Sequence, residues 1–193
     1  MTKFEIAFEL TNKNEGGYAN NHSDHGGETW CGISRNNWPN WEGWFIIDGI
    51  KKSNGVGMID ILGKQSTGLQ SHVKSFYKKS FWDQNRLDRF QDQQIANTVY
   101  DFSVNSGTIK AAKILQECLN LIQDGIIGKD TLMATNTSNY HLLHTAYNCK
   151  RETFYRSIAK GLQAKFLNSW LSRIKPYKNG TENAIFNQKS NLI

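Results

Sequence analysis

The chain has 193 residues, of which 38% are hydrophobic, 21% are charged and only two are proline. This composition is that of a globular protein, and it argues against a collagen-like repeat or a disordered tail. The longest apolar run, Trp44-Phe45-Ile46-Ile47, is far too short for a bilayer, which needs about 20 apolar residues. The formal net charge of +6 predicts attraction to polyanions, among them nucleic acid, acidic lipid and bacterial cell wall.

Apolar spacing predicts a short helix over residues 2–13, followed by a glycine-rich, irregular stretch from about 15 to 62. From residue 65 onward the pattern is helical, with breaks at Gly107, Asp124-Gly125 and Gly161. The helix around residues 95–106 is apolar nearly all round, which predicts a buried central helix. The fold class is therefore mainly α, a helical bundle with a small irregular glycine-rich lobe.

Three polar residues, Asn97, Asp101 and Asn105, form one stripe on this central helix. Buried polar groups need partners, so the stripe either braces a neighbouring loop or lines a cleft. We expect Asp101 to brace through backbone donors, and we keep Asn105 as a substrate contact.

The cysteines, Cys31, Cys118 and Cys149, are odd in number and widely spaced, which favours buried thiols over a disulfide framework. His22 and His25 lie near Cys31 but lack a fourth ligand at zinc spacing, so we expect no metal. The tryptophans Trp38, Trp41 and Trp44 are read either as a small satellite core or as a surface that stacks sugar rings. A basic stretch on the late helices, read as a solvated face or as an aid in holding an anionic wall, contains Lys150, Arg151, Arg156, Lys160 and Lys165.

The densest group of reactive side chains begins at Glu15 and continues through Asp24, Glu28 and Thr29. A carboxyl group beside a glycine pair, with a second carboxylate nine residues on, suits glycoside hydrolysis, although a capped turn explains the same residues. Further motifs follow in order along the chain. They are Glu15-Gly16-Gly17-Tyr18, Asp24-x-Gly26-Gly27-x-Thr29, Gly32-Ile33, Tyr77-x3-Phe81-Trp82, Asp101-x3-Asn105-Ser106-Gly107, Leu115-Gln116, Asp124-Gly125-x2-Gly128-x2-Thr131, Arg151 and Trp170-x2-Arg173.

This ordered set resembles glycoside hydrolase family 108, the muramidases of prophage and secretion-associated type. The resemblance implies a lysozyme-like fold, with a catalytic lobe over 1–107 and a helical peptidoglycan-binding lobe over 108–193 packed together. It also implies hydrolysis of the β-1,4 bond between N-acetylmuramic acid and N-acetylglucosamine in peptidoglycan, without a cofactor.

By that resemblance Glu15 is the general acid, and Asp24 and Thr29 are the electrostatic partner and the holder of the attacking water in an inverting reaction. Tyr18, Trp82 and Asn105 are expected to contact substrate. Relatives tend to read Asp-Pro-x-Asp-Pro-Gly-Gly where this chain has Asn21-His22-Ser23-Asp24-His25-Gly26-Gly27, which predicts a less rigid loop around Asp24.

Glu5 lies where a secretory signal would have its apolar stretch, so we expect synthesis in the bacterial cytoplasm and action on the wall after release or holin-assisted export. A holin or a secretion apparatus is the expected accessory, and neither nucleic acid nor membrane insertion is expected. The main alternative is a non-catalytic peptidoglycan-binding or secretion-accessory module. A helical nucleic-acid binder fits the charge but lacks clustered base-reading side chains, and Glu15 with Asp24 would repel phosphate. The sequence leaves the oligomeric state open.

Overall fold

The computed structural model describes residues 1–12, 16–20 and 27–174. It is mainly α-helical with one small sheet, which confirms the predicted fold class. Backbone contacts divide the chain into two compact units. We call Phe8–Ser80 the hairpin unit, and Met1–Ala7 together with Phe81–Ile193 the helical unit.

The hairpin unit contains an antiparallel sheet of strands β1 (Tyr18–Asn20), β2 (Glu28–Trp30) and β3 (Ile33–Ser34). The β2–β3 connection is the two-residue turn Cys31-Gly32, with φ of 45° and 77°. Positive φ at both positions is typical of the type I′ turn, whose twist matches that of the flanking strands. The Tyr77 hydroxyl fixes the turn by donating a 2.8 Å hydrogen bond to the Cys31 carbonyl.

The glycine-rich stretch is more helical than the sequence predicts. It contains α2 (Gly43–Asn54) and α3 (Ile59–Gln65), and it is followed by α4 (Thr67–Tyr77) and a π-helical segment, Lys78–Asp83. Two of its glycines serve packing, because a Cβ atom at Gly63 would lie 2.5 Å from the Trp30 ring and one at Gly43 would lie 2.3 Å from Trp41. The prediction of an irregular chain up to residue 62 was therefore wrong for its second half, where burial of Trp44, Ile47 and Ile59 stabilises the helices.

The helical unit is built around α5 (Gln93–Ser106), on which α6 (Thr108–Cys118) and α8 (Tyr140–Ile158) pack. Nine consecutive residues of α5 are buried, from Ile95 to Ser103, so the prediction of a buried central helix is confirmed. Gly107, at φ 87°, separates α5 from α6. Asp92 caps α5 by accepting from the Ile95 N–H, and Asn139 caps α8 by accepting from the Leu142 N–H.

The remaining elements follow the predicted order: α1 (Phe4–Asn12) begins the chain, α7 (Lys129–Thr137) precedes α8, and a 3₁₀ segment, Gly161–Phe166, leads into α9 (Leu167–Ser172). Ile109 and Ile122 share a helical spacing with Ala112 and Leu115 in the sequence, yet they are 64% and 86% exposed. Helix α6 ends at Cys118, and its buried face is formed by Ala111, Ala112, Ile114 and Leu115. Within the described ranges, no helix is both long and apolar enough to cross a membrane.

Candidate active site

The Glu-Gly-Gly-Tyr motif leads into strand β1, and the hairpin unit holds its tyrosine at two points. The backbone N–H of Tyr18 donates a 2.7 Å hydrogen bond to Asp60 Oδ1, on the first turn of α3. The Tyr18 hydroxyl donates a 2.7 Å hydrogen bond to Glu28 Oε1 on β2. Glu15 and Asp24, the predicted acid and its partner, lie outside the described residues, so the described part of the motif is Gly16 to Tyr18.

Glu28 lies at the centre of an ionic network that the sequence did not reveal. Its side chain is only 12% exposed and pairs with Lys51 Nζ at 2.5 Å and with Arg35 Nε at 2.7 Å. Arg35 also donates two hydrogen bonds to Asp48, 3.0 and 2.7 Å long, and its guanidinium lies over the Trp44 ring. Two carboxylates and two cations make this network formally neutral, which suits a structural role. Only one pair of this network has a spacing that the sequence could reveal, because Asp48 and Lys51 are three residues apart on α2.

The network shifts the pKa values of Tyr18 and Asp48. Burial, together with the hydrogen bond to the Glu28 carboxylate, raises the pKa of Tyr18 above its usual range. The hydrogen bond from Arg35 lowers the pKa of Asp48. Tyr18 is therefore a neutral phenol at neutral pH, and it can offer a ring face but no readily released proton.

Thr29 lies in the middle of β2, opposite Ala19 of β1 and Ser34 of β3. Its hydroxyl donates a 3.2 Å hydrogen bond to the carbonyl of Gly27, a residue with φ of 62°. The side chain is half-buried, so its hydroxyl oxygen can still accept from water.

The two substrate contacts predicted in the helical unit differ in exposure. Asn105 is exposed near the end of α5, where its side chain is available to a ligand. Trp82 is 1% exposed and packs edge-on against Phe4 and Tyr100, with ring centroids 5.8 and 6.0 Å away. Trp82 is therefore a core residue in this structure, and we no longer assign it to substrate.

The polar stripe on α5 has a structural explanation. Asp101 pairs with the fully buried Arg151 of α8 and, at 3.0 Å, with Arg173. The prediction of backbone donors for Asp101 was therefore wrong, and the cluster joins α5 to α8 and to the chain after α9. Asn97, the stripe's first member, is buried and accepts a 2.7 Å hydrogen bond from Gln93.

The basic stretch on the late helices is largely neutralised. Arg151 is buried with Asp101, Lys150 pairs with Glu117 at 2.5 Å, and Arg156 pairs with Glu152 at 2.8 Å. These three residues therefore do not form a free basic face for an anionic wall.

The tryptophan group forms a satellite core with one exposed member. Trp44 is buried and lies edge-on to Trp41, with ring centroids 5.1 Å apart, and its indole N–H donates to the Trp38 carbonyl. Trp38 is 44% exposed and packs edge-on against Phe76 at 4.9 Å. Packing accounts for the group as a whole, and only Trp38 retains much surface.

A turn in the helical unit joins several of the ordered motifs. The Gln116 side chain, on α6, donates hydrogen bonds to Asp124, to the Ile126 carbonyl and to Thr131, and it accepts one from the Gly125 N–H. One buried amide thus organises the whole Asp-Gly-x-x-Gly turn, which supports the structural interpretation of this segment.

No metal-binding group is evident in the described part of the chain, where no three His, Cys, Asp or Glu side chains converge. His22 and His25 lie outside that part. None of the three cysteines forms a disulfide in the described part of the chain. Cys31 and Cys118 are half-buried and Cys149 is exposed, so the prediction of buried thiols was wrong for Cys149. Burial raises the pKa of the Cys118 thiol to about 11, which makes it unreactive at neutral pH.

Comparisons with known proteins agree with this architecture. A family model described as Glycosyl hydrolase 108 matches residues 8–107, and one described as Predicted Peptidoglycan domain matches residues 110–175. A solved structure of SagA from Brucella abortus is 24% identical, covers 90% of each chain and superposes with a TM-score of 0.64, which shows a shared fold. No curated protein sequence matches the chain.

The fold and the two family matches define the class: a lysozyme-like glycoside hydrolase that acts on peptidoglycan. Within that class, the chain belongs to glycosyl hydrolase family 108.

Proposed function

We propose that the protein is an N-acetylmuramidase that cleaves the β-1,4 bond between N-acetylmuramic acid and N-acetylglucosamine, with Glu15 as the general acid. The observation that carries this proposal is the family match over residues 8–107, which includes the complete Glu15-Gly16-Gly17-Tyr18 motif. A carboxyl group held in an aromatic-walled cleft keeps its proton because desolvation disfavours the ionised form. It can then protonate the leaving glycosidic oxygen.

Asp24 and Thr29 complete the proposed inverting reaction, in which Asp24 acts as base or electrostatic partner and Thr29 holds the attacking water. The half-buried hydroxyl of Thr29, on β2, is compatible with that role. Tyr18 is proposed as a wall of the sugar site through its ring, because its hydroxyl is bound to Glu28. Asn105 remains a proposed substrate contact.

The peptidoglycan-domain match makes the cell wall the partner. We propose that the protein is made in the bacterial cytoplasm and reaches the wall after release or with the help of a holin or a secretion apparatus. A holin would serve a prophage lysis enzyme, and a secretion apparatus would serve a secretion accessory.

The test is muropeptide release from purified peptidoglycan by the wild type and by Glu15→Gln, which removes only the titratable proton. Products ending in reducing N-acetylmuramic acid, absent with a folded Glu15→Gln variant, are the expected result. Equal release by both proteins would exclude Glu15 as the acid. Wall binding without release by either protein would favour the alternative, a non-catalytic binding module.

A further inference from the structure

We propose that Asp60 is a positioning residue of the catalytic motif, acting through the backbone N–H of Tyr18. The inference rests on the proposed muramidase function, because it concerns the segment that carries Glu15. Asp60 belongs to none of the motifs through which the sequence resembles its family, and it lies 45 positions after Glu15 in the chain.

The helix that carries Asp60 is firmly anchored in the hairpin unit. Ile59, its first residue, is completely buried, and Gly63 lies against the Trp30 ring so closely that a Cβ atom would be 2.5 Å away. Asp60 lies between these two contacts on the first turn of α3. Its carboxylate is therefore held on a fixed element rather than on a loop, as accurate positioning requires.

The Asp60 carboxylate makes a specific contact with the motif. Its Oδ1 accepts the 2.7 Å hydrogen bond from the Tyr18 N–H. Tyr18 is also held through its hydroxyl by Glu28, so both ends of the residue are fixed. Glu15 lies three residues earlier in the sequence and belongs to the same motif.

The contact with Asp60 affects the two glycines of the motif differently. A Cβ atom at position 17 would lie 1.7 Å from Asp60 Oδ1, whereas a Cβ atom at position 16 would have no heavy atom within 4 Å. The backbone at Gly17 does not have a positive φ, so the obstacle to a side chain there is the Asp60 carboxylate and not backbone conformation. A side chain at position 17 would require the Asp60 carboxylate to move.

The contact needs a hydrogen-bond acceptor at Oδ1, and an amide oxygen supplies one as well as a carboxylate does. Asp60→Asn should therefore keep the motif in place, and Asp60→Ala should release it. Small misplacements of catalytic groups lower rates strongly, so we expect Asp60→Ala to lower kcat rather than to raise KM.

The first experiment measures kcat and KM for release of reducing ends from purified peptidoglycan by the wild type, Asp60→Ala and Asp60→Asn. Asp130→Ala is the control, because Asp130 is also an acidic residue in the first turn of a helix, α7. We expect Asp60→Ala to lower kcat at least tenfold while its KM stays within threefold of the wild-type value. Both kcat and KM of Asp60→Asn and of Asp130→Ala should stay within threefold of wild type. The pH profile of Asp60→Asn should be unchanged. Wild-type kcat in Asp60→Ala, or a folded Asp60→Asn variant as slow as Asp60→Ala, would overturn the proposal.

The second experiment is a double-mutant cycle with Gly17→Ala and Asp60→Ala, followed by both kcat and thermal unfolding. Gly17→Ala alone should lower both kcat and Tm, and the double variant should be no worse than Asp60→Ala, because the clash disappears with the carboxylate. Fully additive losses would overturn the proposal. A folded wild type without any release would instead refute the muramidase function, and the Tm cycle would still report whether Asp60 fixes position 17.

Discussion

His144 is buried on helix α8, where its Nε2 lies 3.1 Å from the Thr98 hydroxyl and 3.2 Å from Asn148 Nδ2. Burial is the main cause that lowers its pKa from 6.5 to about 4, and the nearby positive charge of Arg151 acts in the same direction. His144 is therefore neutral in the folded protein throughout the physiological range.

This shift predicts a pH dependence of stability. Between about pH 6.5 and pH 4 the unfolded chain binds a proton at His144 that the folded chain does not, so the free energy of unfolding falls as the pH drops through this window. The expected loss is on the order of 2 kcal/mol. Urea unfolding of the wild type and of His144→Asn at pH 7, 5.5 and 4 gives the free energy of unfolding at each pH. Plotted against pH, the values for the two proteins should converge at low pH. Parallel curves would show that His144 titrates equally in both states.

At the scale of elements, the turn between α6 and α7 contains two glycines with different roles. Gly125 has φ of 82°, and a Cβ atom there would lie 2.8 Å from Ile109 Cγ2. Gly128 has φ of −86° and no heavy atom within 4 Å of a Cβ position. The sequence motif presents the two as equivalent, and the structure does not.

We expect Gly125→Ala to lower the free energy of unfolding by about 1–3 kcal/mol, because it adds both backbone strain and a steric clash. Gly128→Ala is the matched control and should stay within about 0.5 kcal/mol of wild type. Urea unfolding followed by tryptophan fluorescence measures both values. Equal losses at the two positions would contradict the distinction drawn from their backbone conformations.

The same scale shows why part of the fold was predictable. Helices α5 and α8 were evident from their apolar residues, since each is decided mainly by its own sequence. Helices α2 and α3 were not, because their glycines read as breaks until their packing partners are known. Trp30 and Gly63 are 33 residues apart, and nothing local to either predicts the contact. The contacts of Glu28 and Asp60 with Tyr18 were missed for the same reason, since each joins residues on different elements.

At the scale of the molecule, the family segments and the compact units divide the chain differently. The segments matched by the two family models meet at residues 107–110, whereas the compact units divide near Phe81. Helix α5 belongs to the hydrolase segment, yet it forms the core of the helical unit together with α6 and α8 of the peptidoglycan-domain segment. The hydrolase segment and the peptidoglycan-domain segment therefore share one core in the helical unit.

The Asp101–Arg151 pair is the polar counterpart of that shared core, because it joins α5 of one family segment to α8 of the other. Arg151→Met leaves the buried Asp101 carboxylate short of a partner, so we expect the free energy of unfolding to fall by about 3–5 kcal/mol. The double variant Asp101→Leu/Arg151→Met removes both charges and should lose clearly less than the sum of its single variants. Lys150→Met is the control: Lys150 lies on the same helix as Arg151 and forms an exposed ion pair with Glu117 of α6, so its loss should leave the urea midpoint nearly unchanged. Additive losses in the cycle would mean that the two side chains act separately and that apolar packing alone holds the segments together.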